Sequence, residues 1–124
     1  MNVVDSSAWL SYLSGDKNAG KFSKAIEDLE VLLVPSITLT EVFKAIFRQR
    51  DEEVALAVIA HMKQGKVVPL DSELAINAAT YGMTHKLPLA DSIIYATARK
   101  FDATLWTQDI DFKALEKVRY YTKA

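Results

Sequence analysis

The chain has no cysteine, two histidines, four glycines and three prolines in 124 residues. Without cysteine there can be no disulfide framework, no thiol nucleophile and no cysteine zinc site, a composition that suits a reducing cytoplasm. Two histidines make a zinc enzyme an unpromising reading. An excess of either charge is also missing: 15 basic residues face 16 acidic ones, for a formal net charge of −1. That balance excludes the broadly basic surface of a typical DNA-binding module, so any contact with nucleic acid must be local or metal-assisted. The opening "MNVVDSSAWL" has no basic segment followed by a long apolar stretch, so no signal peptide is expected. The longest uncharged apolar run, "VLLVPSITLT", falls far short of the roughly 20 residues that span a bilayer. A soluble cytoplasmic protein with no membrane partner is expected.

What is present is a globular composition, half hydrophobic and a quarter charged, with no repeat, low-complexity tract or linker. One domain over residues 1–124 is expected. Short β-branched runs alternate with longer segments of helical period, which predicts an α/β domain with a largely parallel sheet. The candidate strands are "NVV" before Asp5, 31–35, 66–70, 103–106 and 118–121. The candidate helices span 6–14, 18–29, 36–50, 51–64, 71–85, 89–101 and 109–116. Ligands of open parallel sheets bind beyond the carboxyl ends of the strands. Acids recur there: Asp5 follows the first strand, Glu41 lies in the helix after 31–35, Asp109 follows "ATLWT", and Asp91 starts its own helix.

Each acid alone has an ordinary explanation. Asp5 is placed to cap the helix that follows, as are Ser6 and Ser7, and Ser7 could instead orient Asp5. Glu41 shares a helix side with Lys44 and Arg48, opposite the stripe Leu39, Val42, Phe43, Ile46 and Phe47, which suits a solvated face with a Glu41–Lys44 pair. Asp91 borders the buried stripe of "LPLADSIIYATARKF", where it could cap, contact Tyr95 or hold a metal. Asp109 and Asp111 open a short helix, where the macrodipole favours acids. Together, carboxylates gathered in one crevice would repel one another unless a cation compensates. Oxygen-only ligands favour Mg²⁺ or Mn²⁺, the usual ions of phosphate chemistry.

Four stretches, "VVDSSAWL", "PSITLTEVFKAI", "LPLADSIIYATA" and "LWTQDIDF", in this order and at these spacings, give the whole chain a resemblance to PIN domains, specifically to VapC-type toxins. The resemblance implies a three-layer α/β/α fold around a mostly parallel sheet of four to five strands. It implies an acidic catalytic metal site of Asp5, Glu41, Asp91 and Asp109, with Ser7 and Thr107 beside it and Asp111 as an outer or water-mediated ligand. It also implies an endoribonuclease that uses one or two Mg²⁺ or Mn²⁺ ions to hydrolyse phosphodiester bonds, leaving a 5′-phosphate and a 3′-hydroxyl. Its partners would be RNA, a VapB-type antitoxin and a second copy of the chain, with Phe43 and Phe47 as candidate dimer surface.

Lys44, Arg48 and Arg50 are candidates to hold flanking RNA backbone, or merely to solvate their helix. Trp9, Tyr12 and Tyr95 are candidates either to stack on a base or to fill the core. The competing readings are a structure-specific 5′-nuclease acting on DNA, an inactive PIN-like binding module, and a receiver-type signalling domain. The last lacks support here, because neither two adjacent acids after the first strand nor a lysine followed by proline after the last is present.

Overall fold

The computed structural model describes residues 1–123. In chain order the elements are β1 (Asn2–Val4), α1 (Ser6–Ser14), α2 (Ala19–Glu27), β2 (Leu32–Pro35), α3 (Ser36–Gln49), α4 (Glu52–Met62), β3 (Lys66–Val68), α5 (Ser72–His85), α6 (Leu89–Lys100), β4 (Thr104–Thr107) and β5 (Val118–Tyr120). Single 3₁₀ turns at Leu29–Val31 and Ile110–Phe112 complete them.

The five strands form one sheet in the order β3-β2-β1-β4-β5, and every pairing is parallel. Because side chains alternate across a strand, the β-branched runs feed two cores at once. Val3 lies opposite Leu33 and Leu105, and with Val68 this set packs against Leu74 and Ala78 of α5 and Ile93, Ile94 and Tyr95 of α6. On the other face Val4, Leu32, Val34 and Trp106 pack against Trp9 of α1, Phe22 and Ile26 of α2, Val42 of α3 and Met62 of α4. This is the expected three-layer α/β/α arrangement, with five strands where four to five were expected.

Two expectations need correction. Residues 109–116 do not form an α-helix. Phe112 is fully buried, but i→i+3 bonds such as Leu115 N–H to Phe112 O (3.1 Å) carry the segment down toward β5. The third strand stops at Val68, since Pro69 has no N–H for the ladder. Elsewhere the ends shift by one to a few residues, as where Asp51 and Asp71 cap α4 and α5 rather than joining them.

The chain runs outward from β1 through β2 to β3, then returns to the centre to lay β4 along the other side of β1. Strand order therefore reverses between β1 and β4, and the crevice at their carboxyl ends is where such a sheet offers a binding site.

Candidate metal centre

Asp5 sits at that reversal. Its N–H donates to Trp106 O on β4 (3.1 Å), which ties it to the neighbouring strand, and only 2% of its surface is exposed. Its Oδ1 accepts from the Ala8 N–H (2.9 Å) and from Ser7 Oγ (2.8 Å), and its Oδ2 accepts from Thr107 Oγ1 (2.6 Å). Capping α1 and belonging to the acidic crevice are thus duties of one side chain. Burial pushes its pKa up to about 6, although the bonds from Thr107, Ala8 and Ser7 favour the charged form, and repulsion from Asp109 adds to the rise. Thr107 passes the order onward, because its Oγ1 accepts from the Asp109 N–H (2.8 Å).

Asp91 is the third residue of α6. Pro88 occupies the capping position and no side chain caps this helix, so the capping reading of Asp91 fails. The Tyr95 reading fails as well, because that hydroxyl points to Glu116 O at 3.4 Å. The Asp91 carboxylate accepts no hydrogen bond among the described residues. Its pKa is pushed up to about 7, first by desolvation and then by the charges of Asp109, Asp5, Glu41 and Asp111. All five carboxylates thus lie within electrostatic reach of one point.

Asp109 follows β4 and caps the 3₁₀ turn, its Oδ1 accepting from the Asp111 N–H at 2.9 Å. One carboxylate oxygen from each of Asp91, Asp109 and Asp111 lies within 4.8 Å of the others. Asp111, assigned an outer role at sequence level, therefore stands with Asp91 and Asp109 in the tightest part of the cluster.

Glu41 does not lie on a freely solvated face with Lys44. It is half-buried, and its Oε1 accepts from Ser6 Oγ of α1 at 2.5 Å. No ion pair among the described residues involves it. Sequence reasoning treated Ser6 only as an alternative cap; the one signal for more was a second hydroxyl beside Ser7, left over once Asp5 caps. Lys44 and Arg48 are exposed on α3 and Arg50 is exposed just past its end, where it borders a cleft of about 530 Å³ whose walls include Ser7 and Gln108 beside Asp5. Trp9 and Tyr95 are 0% and 3% exposed and belong to the core, which removes them as stacking platforms. Tyr12 is partly exposed, and its hydroxyl donates to Glu27 (3.0 Å).

The donor set fits a hard divalent cation. It consists only of carboxylate oxygens, none of the five acids is ion-paired among the described residues, and desolvation together with the charges of the other four acids pushes the pKa of Asp91 up to about 7.

A family model described as the PIN domain matches residues 3–118. No curated protein sequence matches the chain. Among solved structures, a toxin–antitoxin complex from Klebsiella pneumoniae superposes with a TM-score of 0.83 at 21% identity, covering 99% of this chain and 100% of the other. VapC20 of Mycobacterium tuberculosis, described as a sarcin–ricin loop cleaving toxin, gives 0.78 at 23% identity over 96% and 99% of the two chains. DNA-bound VapBC from Salmonella typhimurium gives 0.75 at 16% identity over 98% and 96%.

Proposed function

This chain belongs to the PIN-domain family, and from that premise we propose that it is a Mg²⁺- or Mn²⁺-dependent endoribonuclease acting as the toxin of a VapBC-type pair. The observation that carries the reading is the convergence of Asp5, Glu41, Asp109 and Asp111 on Asp91, without an ion pair among the described residues, at the point where strand order reverses. When bound, one or two such ions supply charge neutralisation, activation of a water for in-line attack and stabilisation of the leaving 3′ oxygen.

The protein's own residues supply position. Ser7, Thr107 and the Ala8 N–H fix both oxygens of Asp5. The Asp91 carboxylate, which accepts no hydrogen bond among the described residues, would be free to hold a cation, and would be deprotonated in doing so. Glu41 closes the site from α3, and Asp109 and Asp111 close it from the turn after β4. A pocket of this charge repels phosphate on its own, so flanking backbone falls to the exposed Lys44, Arg48 and Arg50, of which Arg50 borders the adjoining cleft.

A VapB-type antitoxin is the proposed silencing partner, supported by the toxin–antitoxin complexes among the structural neighbours. A homodimer is supported by exposed apolar residues: Phe47 on α3 (48%), Ile76 and Met83 on α5 (69% and 84%) and Leu89 at the start of α6 (80%). A cytoplasmic location agrees with the lack of cysteine. No helix among the described residues is long and apolar enough to cross a membrane.

The test is cleavage of total RNA by the purified chain with Mg²⁺, with Mn²⁺ and with EDTA. Cleavage should require the metal and disappear in Asp91→Asn, while circular dichroism shows the fold retained. Equal cleavage by the variant would remove Asp91 from the site, and no cleavage with either metal would overturn the enzyme assignment. Expression alone should arrest growth, and co-expression with the cognate antitoxin should restore it.

A further inference from the structure

We propose that Ser6 is a positioning residue that holds Glu41 ready for the cation, an inference that rests on the metal-site reading above. Ser6 is the first residue of α1, where a serine often serves the helix end, but Asp5 already accepts the Ala8 N–H. The Ser6 hydroxyl is therefore available. It donates across to α3, 35 positions along the chain, to Oε1 of Glu41.

Glu41 needs that tether more than the other acids do. Asp5 is held by Ala8, Ser7 and Thr107, and Asp109 by the N–H of Asp111. Both sit on short side chains fixed beside the sheet. Glu41 has the longest and most rotatable side chain of the set, on a helix, and Ser6 is its sole hydrogen-bond donor among the described residues. The bond occupies Oε1 and leaves Oε2 without a donor among the described residues, an arrangement suited to one oxygen facing a cation. Donors that orient a ligand in this way change metal affinity by about 10- to 100-fold when removed.

The test reads metal uptake rather than cleavage: titration of the folded chain with Mn²⁺, following free Mn²⁺ by electron paramagnetic resonance. Ser6→Ala should weaken uptake about tenfold, and Ser6→Thr, which keeps the hydroxyl, should restore it. In a Glu41→Gln background the Ser6→Ala change should have no further effect, the coupling expected when one residue acts through the other. Equal Mn²⁺ affinity in wild type and Ser6→Ala, or an undiminished loss in the Glu41→Gln background, would overturn the role of Ser6 and leave the metal site standing. No Mn²⁺ uptake by the wild-type chain would overturn both. A purely structural role for Ser6 would instead lower the melting temperature without this dependence on Glu41.

Discussion

Replacing Asp91 by asparagine should make the metal-free protein more stable at pH 8 while removing its response to metal. A carboxylate whose folded-state pKa lies above its unfolded value binds more protons folded than unfolded between the two. It therefore lowers stability as pH rises through that window. For Asp91 the window runs from the ordinary 3.8 to about 7. At about 1.36 kcal/mol per pH unit the full penalty would be about 4 kcal/mol. Asp91 is only half-buried, so solvent and salt screen much of this, and about 1–2 kcal/mol is the expected relief in the neutral variant. For a domain of this size that corresponds to a rise in melting temperature of about 3–10 °C. Melts in EDTA at pH 5, 6, 7 and 8 should show the variant's advantage growing with pH. Adding Mg²⁺ at 100 times its dissociation constant should then stabilise wild type by about 2.7 kcal/mol and the variant by much less. An advantage that does not change with pH, or a variant less stable than wild type at pH 8 in EDTA, would refute the claim that Asp91 is a desolvated carboxylate facing uncompensated like charges.

Thr107→Val removes the 2.6 Å bond to a buried carboxylate and the acceptor of the Asp109 N–H. Urea unfolding should show a loss of about 1–3 kcal/mol at pH 8. The loss should shrink at pH 5, below the raised pKa of about 6, where Asp5 is neutral; an equal loss at both pH values would count against the Thr107–Asp5 bond as its cause. Gly65→Ala would set a Cβ 3.0 Å from Val34 Cγ2 and 3.1 Å from Leu32. A cost of about 1–3 kcal/mol should appear in thermal melts. Metal uptake should be unchanged, because Gly65 lies at the amino end of β3, away from the acidic crevice.

The sheet was legible because fully buried parallel strands carry uninterrupted apolar runs, and "VLLVP" or "ATLW" stand out among amphipathic helices. Residues 109–116 were not, because local pattern alone does not reveal that Phe112 turns into the core and leads the chain to β5. In the site, Asp5 and Asp109 were visible from their place after strands. Asp91 was visible as a charge beside a buried stripe, though its lack of a capping role appears only once Pro88 is seen at the cap. Glu41 defeated the helical wheel, which assigns residues to sides but does not know what stands opposite. Its partner, Ser6, lies 35 positions away. The place of Asp111 was open for a related reason: the 3₁₀ turn after β4 sets one of its carboxylate oxygens within 4.8 Å of those of Asp91 and Asp109.

The place of β4 has a consequence for when this pocket comes into being during synthesis. The strand that lies against β1 is Thr104–Thr107, and the acids that complete the cluster follow it. A nascent chain up to residue 103 carries Asp5, Glu41 and Asp91, yet β1 still lacks the neighbour that closes the centre of the sheet. Such long-range closure is slow compared with helix formation. The activity proposed here therefore switches on late and at once, with no partly built cutting site on the unfinished chain and none left after the central pair of strands comes apart.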